Sequence, residues 1–350
     1  MRRLTVEHKT HYTYSEPVTF GQHRLMLRPR DSHGLRLHEA RLTLSPTGDV
    51  KYIYDVFGNS IALVDFHGPG SELVIESVLE LDSYSAPALE ILLDPAAANY
   101  PFVYSGDDRF DASQMLTPHY EDNGEVKAWV ATFVTPGETM GTLDLLHAIN
   151  AAIKADFTYN ARHEEGTQTP AKTLELKSGT CRDFALLFIE AVRELGFAAR
   201  FVTGYLYTPH LDLSLDLSEE IRGAGSTHAW AEVYLPGAGW IDFDPTNALI
   251  GTDHLVRVAV VRDPRQASPI VGSFSGSATA FLSMDVEVFV STRTPVALDS
   301  RSRGGPAEVK TDASEIPQEA PAMVEAQAAG GDGADGARPS ARRAEPDPVG

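Results

Sequence analysis

Cysteine is almost missing from this chain: Cys181 is the one thiol in 350 residues. A single cysteine excludes an intramolecular disulfide and any zinc site built from several thiolates, and it suits a reducing compartment. Basic residues are scarce beside acidic ones, 29 Lys and Arg against 49 Asp and Glu, which leaves a formal net charge of −20. A field of that sign repels phosphate backbones and anionic lipid, so neither a nucleic-acid partner nor a membrane partner is expected. No run approaches the ~18 consecutive apolar residues of a membrane span. Behind Arg2 and Arg3 comes a strand-like alternation rather than the apolar core of an export signal. Asn-x-Ser/Thr acceptors are missing as well. The expected location is cytoplasmic.

Several motif fragments lack the context that would give them meaning. Gly331-Asp332-Gly333-Ala334-Asp335-Gly336 has dinucleotide-loop spacing but no strand before it. Asp242-Phe243-Asp244-Pro245-Thr246-Asn247 starts like a calcium loop yet lacks the glycine at its sixth position. The 12 histidines contain no H-E-x-x-H, and His8 and His11 fall on opposite faces of a strand pattern. There is no G-x-S-x-G elbow and no P-loop. A composition of 43% hydrophobic and 22% charged residues is that of a globular protein, with room for two domains at ~100–200 residues each.

The N-terminal part alternates apolar and polar positions in short runs, such as Leu4-Thr5-Val6, Leu25-Met26-Leu27, Leu42-Thr43-Leu44 and Leu73-Val74-Ile75. Turn residues break the runs at Ser45-Pro46-Thr47-Gly48, Phe57-Gly58-Asn59 and Gly68-Pro69-Gly70. That spacing predicts an antiparallel sandwich-like domain over residues 1–130. Farther on, Leu143, Leu146, Ile149 and Ile153 mark an amphipathic helix with Thr142 as its N-cap. A second helix starts at Cys181, carries Phe184, Leu187, Phe188, Ala191, Val192 and Leu195 at helical spacing, and ends at Gly196. The period then falls to two around Phe201, over His228–Leu235, over Trp240–Asp244 and again over Val286–Val290. Helices followed by strands give an α+β domain, taken as residues 131–298 with its C-terminal strands. From Arg301 there is no aromatic residue and no leucine, so residues 299–350 read as a disordered Pro/Ala/Gly/Glu-rich tail.

A cysteine in the first turn of a helix meets unpaired N–H groups and the positive end of the helix dipole, which favour a thiolate and can hold an oxyanion. A thiol nucleophile also needs a base and a group that orients the base. On the strand pattern of residues 228–235, period two places His228, Trp230, Glu232 and Tyr234 on one face. Across the following turn, Trp240, Asp242 and Asp244 share a face. If Tyr234 pairs with Trp240, Asp244 comes opposite Trp230 and diagonal to His228, about 7–8 Å away and within reach of its imidazole. Asp242 then faces Glu232. Pairing Leu235 with Trp240 would put Asp244 on the wrong side, so the connection must hold an odd number of residues.

The blocks Ser178-Gly179-Thr180-Cys181-Arg182-Asp183-Phe184-Ala185, Leu195–Tyr205, Thr227-His228-Ala229-Trp230-Ala231-Glu232-Val233-Tyr234 and Gly239-Trp240-Ile241-Asp242-Phe243-Asp244-Pro245-Thr246-Asn247 together resemble the bacterial branch of the transglutaminase-like superfamily. Phe157-Thr158-Tyr159 is similar to the segment that leads into that core. His8–Tyr14, His23–Arg30 and Asp55-Val56-Phe57-Gly58-Asn59 are similar to the β-rich domain that precedes it in bacterial members.

The resemblance implies a papain-like α+β core, with Cys181 as nucleophile, His228 as base and acid, and Asp244 holding the imidazole. It implies attack on an amide carbonyl of a protein or peptide substrate through an acyl-thioester, with no cofactor and no metal. Arg182 stands where animal cross-linking enzymes carry an aromatic residue, and Thr180 where bacterial relatives often carry an apolar one, so hydrolysis is favoured over cross-linking. Trp230 and Glu232 read as structural, and the acidic stretch with Asp212, Asp216, Glu219 and Glu220 as a solvated loop. The alternative is a non-catalytic binding or scaffold protein that keeps the papain-like core.

Overall fold

The computed structural model describes residues 1–84, 91–160, 166–207, 227–251, 254–292 and 308–310. Six strands open the chain: β1 (Arg2–Phe20), β2 (His23–Arg28), β3 (Leu35–Ser45), β4 (Gly48–Tyr54), β5 (Ser60–Phe66) and β6 (Pro69–Ser83). In one sheet β6 lies between β1 and β3, and in a second sheet β5 lies between β2 and β4, all antiparallel. The alternation puts Leu4, Val6, Leu73, Ile75, Leu79 and Leu81 of the first sheet inward, where they pack with Met26, Ile61 and Val64 of the second. This is the β-rich domain the short alternating runs predict.

The second half begins with helices α1 (Glu125–Ala131), α2 (Thr142–Asp156) and α3 (Cys181–Glu194). Its antiparallel sheet consists of β7 (Ala199–Leu206), β8 (His228–Leu235), β9 (Gly239–Asp244), β10 (Leu249–Ile250) and β11 (Leu255–Val261), in the order β10-β9-β8-β7-β11. Helix α3 lies against one face of this sheet. Ala229, Ala231 and Val233 of β8 share its core with Phe184, Leu187 and Phe188, and Phe188 stacks on Phe243 at 5.4 Å between ring centroids. Small residues on the strand let the helix approach closely, and each large side chain it buries contributes roughly 1.5–3 kcal/mol.

One local expectation is corrected. Thr142 is not the N-cap of α2 but its first helical residue, with Gly141 at the cap; its hydroxyl donates to the Ala97 carbonyl at 2.6 Å, a tertiary partner no local pattern reveals. Helix α3 is buried along most of its length: Asp183 and every residue from Phe184 to Arg193 are buried. Its polar residues satisfy one another inside: Arg193 pairs with Glu190 at 2.7 Å and donates to the carbonyls of Met115, Ala199 and Arg262. Glu190 in turn accepts the backbone N–H groups of His119 and Tyr120. Gly196 ends the helix at φ 87°, as a C′ glycine does.

Beyond β11 the chain returns to the N-terminal sheets. β12 (Ile270–Val271) pairs with β2, and β13 (Phe274–Ser275) and β14 (Phe281–Ser291) pair with β1. A short strand, β15 (Glu308–Lys310), lies beside β3. Tyr205, Tyr207, Val256 and Val258 from the second half join Leu4, Val6, Leu79 and Leu81 in one buried cluster. The remainder of the expected tail, and the acidic stretch with Asp212, Asp216, Glu219 and Glu220, lie outside the described residues. Among the described residues no helix is long and apolar enough to cross a membrane.

Candidate active site

Cys181 is the first residue of α3, and the helix start is held by its neighbours. Thr180 is the N-cap, and its backbone N–H and its hydroxyl both donate to Asp183 Oδ2, at 2.8 and 3.0 Å. Asp183, fully buried, also accepts from the backbone N–H of Gln168 at 2.7 Å and from its side-chain amide at 3.2 Å. The carboxylate beside the thiol is thus consumed in fastening the helix and the preceding loop. Thr158 and Tyr159 pair in parallel with Ser178 and Gly179, which ties a second segment to the helix start.

The hairpin takes the register that brings Asp244 to His228. Tyr234 pairs with Trp240, Leu235 with Gly239 and Glu232 with Asp242, so Pro236-Gly237-Ala238 form an odd connection. His228 Nε2 donates to Asp244 Oδ2 at 2.9 Å, with both side chains wholly buried. Asp244 is fixed from its other side by the turn it begins. The Thr246 N–H donates to Oδ1 at 2.9 Å, and the Asn247 amide donates to Oδ2 at 2.8 Å. Helix α2 holds that turn through Lys154, which donates to the Asn247 carbonyl at 3.2 Å, and Asn150, which donates to the Leu249 carbonyl at 3.1 Å. Asp244 is therefore a turn-former and the imidazole's partner at once.

The electrostatics follow from these partners. Burial by itself drives an imidazole towards neutrality, but the Asp244 charge and hydrogen bond, with a further contribution from Cys181, outweigh it and raise the His228 pKa to about 10. Asp244 shows the complement: burial pushes its pKa up, while His228, Asn247 and Thr246 together hold it below the ordinary carboxylate range. The other ring nitrogen of His228, Nδ1, is buried and has no hydrogen-bond partner. Cys181 is near enough to that ring to add to the rise in its pKa. The thiol, the imidazole and the carboxylate named from the sequence thus come together, although they are drawn from a helix start and two strands.

Other residues around the site were not legible as such. Tyr159 packs edge-on to Phe184 at 6.4 Å. Its hydroxyl pKa is pushed up to about 12 by burial first, then by the charges of Cys181, Asp244 and Asp183. Trp230 lies near-parallel to the His228 ring, 6.0 Å between centroids and 26° between planes, and its indole N–H donates to Asp242 Oδ1 at 2.6 Å. Glu232, read as structural, accepts from Arg200 at 2.6 Å and from Arg257 at 2.8 Å. Burial and the adjacent Glu232 push the Asp242 pKa up to about 7. Arg182 turns from the thiol to donate to the Pro264 carbonyl at 2.7 Å. Among the described residues no group of three or more His, Cys, Asp or Glu side chains could hold a metal ion.

Comparison with known proteins adds the family. The family model for the bacterial transglutaminase-like N-terminal region matches residues 4–82, and that for the transglutaminase-like superfamily core matches residues 127–245. An uncharacterized protein of Mycobacterium leprae is 28% identical over 297 residues, covering 82% of this chain and 99% of that one. An uncharacterized protein of Mycobacterium tuberculosis is 29% identical over 303 residues, covering 82% and 92%. Among solved structures, a candidate cysteine protease from Cytophaga hutchinsonii shares the fold with a TM-score of 0.57 at 18% identity, covering 89% of this chain and 98% of that one. With the core and the β-rich domain both matched, in order and around the assembled cysteine, histidine and aspartate, the chain belongs to the transglutaminase-like superfamily.

Proposed function

We propose that this protein is a cysteine-dependent enzyme that opens amide bonds of a protein or peptide substrate through Cys181, His228 and Asp244, with water as the usual acceptor. The observation that carries this reading is the division of labour on His228: Nε2 is committed to Asp244, while the buried Nδ1 has no hydrogen-bond partner and remains for the thiol. Cys181 and His228 share one proton; with it on the imidazole, the thiolate attacks the amide carbonyl. As the tetrahedral intermediate collapses, the C–N bond breaks and the imidazolium gives its proton to the departing amine, leaving an acyl-thioester. Water then attacks the thioester, His228 takes its proton, the C–S bond breaks and a carboxylic acid leaves. An amine in place of water would give a new amide.

Asp244 keeps the imidazole oriented and stabilises its charged form throughout. The N–H groups at the start of α3 supply donors for the oxyanion, and Tyr159 retains its hydroxyl proton at working pH and offers another. Arg182, committed to the Pro264 carbonyl, leaves no aromatic residue after the nucleophile to shelter the thioester from water, which supports hydrolysis.

The test is intact-mass spectrometry of the protein after iodoacetamide, followed by incubation with casein and with casein plus an amine probe. Rapid modification of wild type that is lost in Cys181→Ala and slowed in His228→Ala, with casein cleaved and little amine incorporated, is the expected result. Modification at the rate of an ordinary thiol, indifferent to His228→Ala, would overturn the enzyme reading in favour of a scaffold. Amine incorporation in excess of cleavage would overturn the hydrolytic one.

A further inference from the structure

The loop between β4 and β5, Asp55–Asn59, belongs to the N-terminal sandwich but ends on the catalytic sheet. It is rigidly built. Asp55 Oδ1 accepts the backbone N–H groups of Phe57 at 3.0 Å and Asn59 at 2.8 Å. Asp55 Oδ2 accepts the Asn59 side-chain amide at 2.8 Å, and Arg30 donates to the Gly58 carbonyl at 2.8 Å. Gly58 sits at φ 75°, which favours glycine there.

From this frame the Asn59 amide reaches β11, the edge of the core sheet. It donates to the Val260 carbonyl at 2.7 Å and accepts the Val260 N–H at 2.9 Å. One side chain thereby gives the edge strand the donor and acceptor that another strand would supply. Phe57 packs against the cluster of Trp230, Val202 and Val260.

Those three residues form a row across the sheet, for Val202 pairs with Val260 on one side and with Trp230 on the other. Trp230 is the member that touches the site. Its ring lies along the His228 imidazole, with the indole N–H anchored on Asp242. Gly204 makes room for the indole: a Cβ there would collide with the Val256 carbonyl and stand 2.8 Å from Trp230 Cη2. The indole is thus held by Asp242 through its N–H and by a cluster that Phe57 covers. Displacement of Phe57 would free Trp230 to tilt, and the imidazole with it.

We infer that Phe57 and Asn59 are positioning residues of the active site, so that the N-terminal sandwich sets the plane of the His228 ring through Trp230. This rests on the reading of His228 as the base. Misplacement of a reacting group by an ångström costs of the order of a hundredfold in rate, and a tilt of the supporting indole about tenfold.

The experiment uses the full chain and its variants Phe57→Ala, Phe57→Leu and Asn59→Ala, with Tyr205→Phe as a control that perturbs the same two halves away from Trp230. Carbamidomethylation of Cys181 by iodoacetamide is followed against pH, and the His228 imidazole is titrated by NMR. Phe57→Ala is expected to slow modification about tenfold, to shift its pH profile towards that of His228→Ala and to lower the imidazole titration point. Phe57→Leu should restore most of the rate, and Tyr205→Phe should leave profile and titration unchanged. Folded Phe57→Ala with wild-type pH profile and imidazole titration would overturn the inference. If Phe57→Ala does not fold, Asn59→Ala carries the same test with the same expected changes, because it removes the hydrogen bonds that hold the loop, and Phe57 with it, against β11. If wild-type Cys181 reacts as an ordinary thiol, it is the enzyme reading that fails, and the imidazole titration still decides whether the loop sets His228.

Discussion

His8 and His228 are equally buried, 2% and 1% exposed, yet they hold opposite charge states at neutral pH. His8 sits where the N-terminal sandwich meets the core sheet, with Nδ1 3.0 Å from the Tyr205 hydroxyl and Nε2 3.0 Å from Thr10 Oγ1. Both partners are neutral, so burial acts alone and lowers its pKa to about 4. His228 has Asp244 instead, and the carboxylate reverses the sign of the effect. Burial therefore does not by itself decide a histidine's charge; a fixed carboxylate inside the buried site does. The same fold uses one imidazole as a neutral hydrogen-bonding bridge and the other as a stored proton.

Asp244→Asn should erase the contrast and produce the largest effect. The imidazole loses its counter-charge, its titration falls from about 10 to below the ordinary value of 6.5, as for His8, and turnover drops by about 10⁴. NMR titration and the rate of Cys181 alkylation report the two parts separately, and an unchanged titration would show that Asp244 is not what charges the ring. The same variant alters stability at high pH. A raised folded pKa contributes stability that is complete below the unfolded value near 6.5 and is lost as pH rises through about 10. Chemical denaturation of wild type should show that alkaline loss, and the Asn variant should lack it.

Glu232 extends the rule from histidine to a buried carboxylate between two arginines. Glu232→Ala leaves Arg200 and Arg257 without their shared partner and should cost about 3 kcal/mol in urea unfolding. It should also bring the Asp242 pKa down from about 7, since the neighbouring negative charge is gone.

On the acid side His8 takes over. Its folded pKa lies below its unfolded one, so the unfolded chain binds the extra proton between about 6.5 and 4, and stability falls as pH falls through that window, by roughly 3 kcal/mol. His8→Gln should flatten that part of the curve without changing the alkaline limb. The smallest effect is expected from Tyr205→Phe, which removes a partner of His8 and should cost about 1 kcal/mol while Cys181 reacts as in wild type.

Much of the site is legible in the sequence. The step of two along His228–Leu235 and Trp240–Asp244, with the demand for an odd connection, led to the observed pairing of Tyr234 with Trp240 and of Glu232 with Asp242. The helix start at Cys181 was marked by its apolar spacing, and the strands of the first domain by theirs. What was not legible shares one property: it depends on partners far away in the chain. The Thr142 hydroxyl looked like a cap until the Ala97 carbonyl claimed it, and nothing in the local pattern says that Glu190 and Arg193 pair inside. Likewise, the Asp55–Asn59 turn gives no sign that its amide will pair with Val260, and the alternation at Val286–Val290 does not say that its strand lies along β1.

By itself the sequence determined the elements that carry Cys181, His228 and Asp244 and the faces these residues occupy, because period, caps and turns act over a few residues. Only the tertiary structure decided that His228 is charged and His8 is not. The charge of a buried imidazole is set by the group packed against it, and that partner is chosen by the pairing of strands and sheets.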